Sequence, residues 1–309
     1  MGEKKSSLKT RFVKNVRKEW QMYTLIILPL LYYIIFKYIP MAGNIIAFRR
    51  YQVGGSLFGE YWVGLRYIKN FINDPGFWRA FRNTLRLSVS YLVIRTPSTI
   101  IFALLINEIQ HTFRKRFIQT VSYLPHFISA VVVAGMVKEI VSMSGPINAL
   151  ISTLGGESVH FLVKPQWFPP IYVLSSLWQN LGWGTIIYLA AMTGINPELY
   201  EAARIDGGNR FQQARYVTLP GILPTIVTLM ILDAGKITHA SFDRVFLLYN
   251  EMTYETADII STYVYRMGLG GSGSFSYSTA IGLFEAVLGL LLIVTANTIS
   301  RKVSEESLW

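Results

Sequence analysis

Hydrophobic residues along the chain fall into blocks of about twenty, rather than into the three- and four-residue spacing of an amphipathic helix. A block of that length is long enough to cross the hydrocarbon core of a bilayer as a single helix. We therefore predict an all-α membrane protein with about six transmembrane helices. The predicted spans are residues 23–39, 85–106, 117–137, 171–192, 219–237 and 280–299.

Prolines and glycines inside these blocks carry two further expectations. Kinks are expected at the prolines, because neighbouring helices satisfy the carbonyl groups that proline frees. These prolines are Pro29, Pro97, Pro125 and Pro224. Close helix packing is expected at the glycines, since they let two backbones approach. These glycines are Gly182, Gly184, Gly282 and Gly289.

The composition agrees with a bilayer as the main solvent. Of the 309 residues, 51% are hydrophobic and 15% are charged, whereas soluble domains carry about 25% charged residues. The absence of cysteine excludes disulfides, thiolate metal sites and cysteine catalysis. With four histidines besides, we expect neither a catalytic centre nor a metal site in this chain.

A net charge of +11 would suit a nucleic-acid partner. The positions of the charges decide whether such a partner is expected. Basic residues crowd beside the apolar blocks, and no basic face interleaved with aromatic residues occurs. If the N-terminus is cytoplasmic, the inner segments hold fifteen Lys and Arg residues and the outer loops ten, Arg244 among them. Because cytoplasmic loops are enriched in Lys and Arg, both termini are predicted to be cytoplasmic. No nucleic-acid partner is expected.

The chain reads as one transmembrane domain, residues 21–300, with a short segment at each end. Residues 1–20 form a basic segment that we expect at the membrane surface, where it binds lipid headgroups. Residues 301–309 form a cytoplasmic tail. The first apolar block lacks an A-x-A cleavage site, so it predicts a retained anchor rather than a removed signal peptide.

A charged segment lies between the fourth and fifth apolar blocks, on the predicted cytoplasmic side. Asn196 and Pro197 predict the start of a helix, as a cap and a first-turn proline. Gly207 predicts its end, because glycine adopts the left-handed conformation without a Cβ clash. Asn209 and Gln212 then predict a capping box that opens a second short helix.

The first of these helices presents a narrow apolar stripe of Leu199, Ala202 and Ala203, with the carboxylate of Glu201 beside it. Such a face suits insertion into a groove on a second protein. The alternative is a helix that only lies on the bilayer surface. We name residues 196–220 the EAA segment, after residues 201–203.

The EAA segment resembles the cytoplasmic loop of permease subunits of binding-protein-dependent ATP-binding-cassette importers. Their pattern is EAA, three residues, G, nine residues, I, one residue, then LP, and Val217 here stands in the place of the isoleucine. The matching residues are Glu201, Ala202, Ala203, Gly207, Leu219 and Pro220. The stretches YLPHFISAVVVAG, GPINALI and FDRVFLLYN are similar, in order, to the polysaccharide branch of the sugar importer permeases.

This resemblance implies the type I importer permease fold, with the EAA segment as a cytoplasmic coupling helix in a cleft of an ATPase. There Glu201 would face a basic residue, and Gly207 would set the angle at the end of the helix. The implied partners are a second homologous permease, two cytoplasmic ATPases, an external solute-binding protein and an oligosaccharide. The implied location is the cytoplasmic membrane of a bacterium.

The chain itself is expected to hold no cofactor and to be no enzyme. It has no G-x-x-x-x-G-K-[ST] sequence, the loop that cradles nucleotide phosphates. The resemblance implies that ATP and Mg are bound by the partner ATPases.

Polar residues inside the apolar blocks are the candidates for a substrate path, because such residues are costly in lipid unless they pair or line a cavity. The candidates are Asn180, Trp183, Asp233 and Glu285. Each has a structural alternative: Trp183 as a packing residue, Asp233 as the ion-pair partner of Lys236 three residues later, and Glu285 in a bond between helices.

A second class of function stays open on the residues alone. In an ion-coupled carrier or a channel for a small polar solute, the EAA segment would be only a surface helix. An intramembrane enzyme has less support, since His126 and His239 are isolated in the sequence and no H-E-x-x-H motif occurs.

Overall fold

The computed structural model of the protein describes residues 18–270 and 273–303. Of the predicted terminal segments, residues 1–17 and 304–309 lie outside the described residues. Within the described part, the chain is helical apart from loops and one isolated antiparallel bridge between Arg49 and Trp62. The all-α prediction is confirmed.

Fifteen α-helices are numbered here in chain order over the described residues. They are α1 (Trp20–Tyr33), α2 (Ile39–Met41), α3 (Arg66–Ile72), α4 (Pro75–Asn107), α5 (Thr112–Tyr123), α6 (Ala130–Ile140), α7 (Pro146–Thr153), α8 (Phe168–Thr193), α9 (Pro197–Ile205), α10 (Arg210–Gln213), α11 (Leu219–Ala234), α12 (Phe242–Leu248), α13 (Tyr254–Ala257), α14 (Ile260–Gly268) and α15 (Phe275–Val303). Short 3-10 turns cover Ala42–Phe48, Leu124–Phe127, Pro165–Trp167 and Glu251–Thr253, and π-helical turns cover Ile34–Tyr38 and Ala214–Thr218.

Four continuous helical segments of the described chain are long and apolar enough to cross a membrane. They are Trp20–Phe48, Pro75–Asn107, Arg210–Ala234 and Phe275–Lys302. A fifth candidate is the bent pair formed by Thr112–Phe127 and Ala130–Ile140. The fourth predicted span forms the 26-residue helix α8, about 39 Å long at 1.5 Å per residue. Helix α8 is long enough to cross a membrane but is not among these apolar segments, and it contains polar residues such as Ser175, Gln179 and Asn180.

The third predicted span is not the single kinked helix that its apolar block suggests. Its two halves meet at an angle of 98°. Between them lie a 3-10 turn that contains Pro125 and the extended residue Ile128, with φ of −76° and ψ of 134°. Ser129 then caps α6 by accepting a hydrogen bond from the backbone N–H of Val132. The N-cap restarts the helix in a new direction, which a proline alone would not do.

Helix α8 lies at the centre of the fold and packs against both α4 and α5. A Cβ atom on Gly182 would lie 2.1 Å from the carbonyl oxygen of Ser122, and one on Gly184 would lie 3.0 Å from the side chain of Thr99. The predicted close-packing role is therefore confirmed at Gly182 and Gly184. At Gly282 a Cβ would meet nothing within 4 Å in the described chain, so that prediction is wrong for contacts within this chain.

The first helix stands apart from the rest of the molecule. None of the residues of α1 is buried by the chain itself. Only the end of this segment, the turn at Ala42–Phe48, joins a core cluster, where Ala47 packs with Phe71, Phe77 and Ile281. Lipid or another subunit must therefore cover most of α1, because an apolar helix is not stable in water.

Candidate functional site

The EAA segment begins with a capped helix whose faces are free of contacts with the core. The side chain of Asn196 accepts a hydrogen bond of 3.1 Å from the backbone N–H of Glu198, and Pro197 occupies the first turn of α9. No residue of α9 is buried, and Ile205 at its end is 86% exposed. The predicted N-cap is confirmed, and the helix presents Glu201 to the outside of the chain.

The end of α9 is a glycine stop. The N–H of Gly207 donates to the carbonyl of Arg204 over 3.0 Å, and the N–H of Gly208 donates to that of Ala203 over 2.7 Å. These two bonds form the Schellman motif, which needs one residue in the left-handed region. Gly207 supplies it with a φ of +79°, as the sequence predicts.

Side-chain bonds fix the angle between α9 and the chain that follows. Asn209 and Gln212 form the predicted capping box, with reciprocal bonds of 2.9 Å and 2.7 Å. The hydroxyl of Tyr200 in α9 lies 3.0 Å from that of Thr218, just before α11. The segment is therefore a rigid bent unit rather than a loose loop.

The second half of the EAA segment connects this unit to two spans. Arg210 Nη1 lies 2.6 Å from Glu108 Oε2 at the end of α4. Leu219 and Pro220 form the first turn of α11, directly after the π-helical turn. A displacement of α9 would therefore be felt by both α4 and α11.

A second polar region surrounds the break in the third span. Because helix breaks leave backbone groups without partners, they are tolerated at membrane depth only where protein satisfies them. Gln179 Nε2 in α8 donates to the carbonyl of Ile128 over 2.8 Å. Asn180 Oδ1 lies 3.1 Å from His126 Nδ1, and the ring of Trp183 stacks on that imidazole at a centroid distance of 4.5 Å.

Next to this break, a cavity of about 250 Å³ opens between α4, α8 and the chain from 233 to 244. Much of its lining is polar. The polar residues that line it are Ser88, Tyr91, Arg95, Tyr172, Ser176, Asn180, Asp233, Lys236, His239, Ser241 and Arg244. A polar cavity among apolar spans is the expected form of a solute path.

The carboxylate of Asp233 pairs with Arg95 across the cavity, at 2.9 Å. The predicted ion pair of Asp233 with Lys236 is therefore wrong. A pair three residues apart needs a continuing helix, but α11 ends at Ala234 and Gly235 caps it. Lys236 lies in the turn that follows the helix.

Arg244 is a buried cation with an incomplete set of partners. Arg244 is 6% exposed, and its Nη2 donates a hydrogen bond to Gln179 Oε1. Its Nη1 has no hydrogen-bond partner, and among the described residues no carboxylate forms an ion pair with it. Burial lowers the pKa of Arg244 below its ordinary value, because desolvation disfavours the charged form.

The four predicted path residues thus fall near one region. Asn180 and Asp233 line the cavity directly. Glu285 lies one step behind, since its Oε1 is 3.2 Å from Nδ1 of the lining residue His239. Trp183 is not on the lining; its ring stacks on His126, which in turn contacts the lining residue Asn180.

Among the lining residues that the sequence interpretation missed are two arginines. Arg95 lies in the second apolar block, and a charge in such a block is a signal for a functional or paired residue. Arg244 was assigned to an outer loop because it lies between the fifth and sixth predicted spans, whereas the structure buries it beside the cavity. No local signal distinguishes a buried arginine from an exposed one in that stretch.

Residues 95–305 match the protein family described as "binding-protein-dependent transport system inner membrane component". The chain is similar to the "polygalacturonan/rhamnogalacturonan transport system permease protein YteP" of Bacillus subtilis (strain 168), with 41% identity over 307 residues, 99% of this chain and 95% of that protein. It is also similar to "protein LplB" of the same organism, with 43% identity over 294 residues, 95% of this chain and 92% of that protein.

A crystal structure of similar fold is that of a bacterial ABC transporter "involved in the import of the acidic polysaccharide alginate". One of its chains superposes with a TM-score of 0.87 and 40% identity, covering 95% of this chain and 99% of that chain. A second structure shows such an alginate transporter "in complex with alginate pentasaccharide-bound periplasmic protein", with a TM-score of 0.87 and 39% identity, covering 96% of this chain and 100% of that chain.

Proposed function

The chain belongs to the family of binding-protein-dependent transport system inner membrane components, and on that premise we propose that it carries an oligosaccharide across the membrane as the permease subunit of an ATP-driven importer. The observation that carries the proposal is the EAA segment. It is capped at both ends, joined to two spans and exposed on its outer face. A unit of this kind suits the transfer of force from a second protein to the spans.

Coupling would follow from the rigidity of the segment. In the proposed cycle, α9 lies in a cleft of a cytoplasmic ATPase, with Glu201, Ala202 and Ala203 at the contact. When two ATPases close on ATP, their clefts approach each other and α9 moves with them. The stop at Gly207 and the bonds that follow it would transmit that movement to α4 and α11 rather than absorb it.

The proposed complex contains this chain, a second homologous permease, two ATPases and an external solute-binding protein. ATP and Mg would be bound by the ATPases. The alginate importer, which is described with a periplasmic protein that holds a pentasaccharide, supports the role of such a receptor. Relatives named for polygalacturonan and alginate support an oligosaccharide as the solute.

In this proposal the EAA segment is cytoplasmic, and so are both chain termini, in the cytoplasmic membrane of a bacterium. The positive-inside count of Lys and Arg supports this orientation. A cysteine placed at exposed position Ile205 tests it, because the natural chain has no cysteine. A membrane-impermeant maleimide should label the variant in opened vesicles and not in intact cells. Labelling in intact cells would overturn the orientation.

The function is tested by reconstitution of this chain with its partner permease, ATPases and binding protein in liposomes. We expect uptake of oligosaccharide only with ATP, and no uptake when a non-hydrolysable analogue replaces it. The control is the chain alone under a proton or sodium gradient. Transport by the chain alone would overturn the proposal in favour of an ion-coupled carrier.

A further inference from the structure

The polar cavity beside the broken span carries an excess of positive charge. Three cationic side chains line it, those of Arg95, Lys236 and Arg244, against the one carboxylate of Asp233. That carboxylate is already neutralised by Arg95 at 2.9 Å. The lining residue His239 has its own partner in Glu285, whose Oε1 lies 3.2 Å from the imidazole Nδ1. The charges of Lys236 and Arg244 are left without a counter-ion in the described chain.

Arg244 is the informative member of this set. A buried cation without a carboxylate is strongly unfavourable, so it is retained in a fold only where something compensates for it. Its Nη2 has a structural task, since it bonds Gln179, which holds the break at Ile128. Its Nη1 has no such task and no partner. A purely structural role would need only the first of these two nitrogens.

The chemistry that completes this arrangement is a carboxylate. A guanidinium and a carboxylate form charge-assisted hydrogen bonds, which are about twice as strong as neutral ones. A neutral hydroxyl could accept a bond from Nη1, but it would leave the charge of Arg244 uncompensated. The cavity volume of about 250 Å³ is slightly below the usual range for small-molecule sites, about 300–1,000 Å³. The cavity would therefore bind one sugar unit of an oligosaccharide rather than a whole ligand.

We propose that Arg244 and Lys236 form a subsite for the carboxylate of an acidic sugar unit, so that this permease selects uronate-containing oligosaccharides over neutral ones. The inference rests on the proposed function and adds the substrate class and the residues that recognise it. The pairing of Asp233 with Arg95 also favours an anionic sugar. It removes the one acidic side chain on the lining that would otherwise repel an anionic sugar.

The test uses the assembled importer in lipid nanodiscs, without the binding protein, and measures equilibrium binding by calorimetry. The probes are α-1,4-linked trigalacturonate and its methyl ester, which differ in charge and hardly in shape. We expect the acid to bind at least about tenfold more tightly than the ester, the value of one hydrogen bond to a charged group. Arg244→Gln should remove most of this difference, whereas Arg244→Lys should retain part of it.

Lys236→Gln gives an independent reading that does not depend on a buried residue, because Lys236 is exposed on the lining. It should weaken binding of the acid by up to about fivefold and leave the ester unchanged, since an exposed charge pair contributes up to about 1 kcal/mol. The matched control is Lys164→Gln, an exposed lysine outside the cavity, which should change neither affinity.

Equal affinities for acid and ester would overturn the subsite, and so would failure of both probes to bind. Equal loss of both probes in Arg244→Gln would overturn the role of Arg244 in recognition. These results are distinct from failure of the proposed function. An importer that takes up the ester and the acid equally well with ATP refutes only the subsite, whereas one that binds the acid but transports no saccharide with ATP refutes only the transport function.

Discussion

Gly207 is the position where a small substitution should have the clearest effect on coupling. Its φ of +79° lies in the left-handed region, which costs other L-residues about 1–2 kcal/mol. A Cβ at this position would meet nothing within 4 Å, so Gly207→Ala adds no clash. The whole effect is conformational, and a cost of 1–2 kcal/mol lowers the population of the native turn by a factor of about 5–30.

The global fold should survive this change, because no residue of α9 is buried. The loss is expected in the two Schellman bonds that end the helix, those of the N–H groups of Gly207 and Gly208. Amide hydrogen exchange of residues 207 and 208 should accelerate by the same factor of about 5–30, while the core amides of α8 stay protected. Oligosaccharide-stimulated ATPase turnover of the assembled importer should fall with it.

Gly207→Asn is the matched variant, since asparagine tolerates the left-handed conformation better than alanine does. It should show a smaller acceleration of exchange and a smaller loss of turnover than Gly207→Ala. A coupling role for the turn at Gly207 is refuted if Gly207→Ala exchanges like the natural chain and keeps full stimulated turnover. It is also refuted if the two variants are equally impaired, because the effect would then not come from the backbone conformation.

Three further predictions concern packing, docking and the break. Gly182→Ala places a Cβ 2.1 Å from a backbone oxygen and should lower the thermal midpoint in detergent, at a cost of at least about 1–3 kcal/mol. Gly282→Ala is the control, because its Cβ would have no atom within 4 Å, and it should leave the midpoint unchanged. Equal midpoints of the two variants would contradict the packing of α8. Glu201→Lys should leave the midpoint unchanged, since surface substitutions cost within about 0.5 kcal/mol, yet reduce co-purified ATPase; a normal amount would argue against docking through α9. Gln179→Leu should destabilise by about 1–3 kcal/mol, because a carbonyl and a guanidinium lose their partner; an unchanged midpoint would refute its bridging role.

Local structure in the EAA segment was predictable because its signals act over a few residues. The Asn196 cap, the stop at Gly207 and the capping box of Asn209 and Gln212 all depend on bonds between neighbours in the chain. The spans were predictable for a similar reason, since the length of an apolar block is compared with a fixed bilayer thickness. That the segment contacts an ATPase stays a prediction.

The break in the third span shows where local reasoning stops. Pro125 predicts a kink, but the 98° turn also needs the extended Ile128 and a new helix start at Ser129. This conformation is stable because Gln179, 51 residues away, satisfies the carbonyl of Ile128. A donor at that distance in the sequence leaves no pattern near the proline.

The cavity shows the same limit for charges. Lys236 is the cation nearest to Asp233 in the sequence, three residues away, and it is not the partner of Asp233 in the structure. The partner is Arg95, 138 residues away. Likewise, the sequence places Arg244 beside apolar residues without indicating that its side chain turns inward to Gln179.

The sequence by itself determined the class of protein, the positions of most spans, the caps of the EAA segment and the family. Each of these depends on composition or on contacts between residues close in the chain. Only the tertiary structure decided the broken third span, the pairing of Asp233 with Arg95 and the burial of Arg244. The physical reason is that these features depend on which helices become neighbours, and a charge or a free carbonyl takes whichever partner the packing of α8 brings to it.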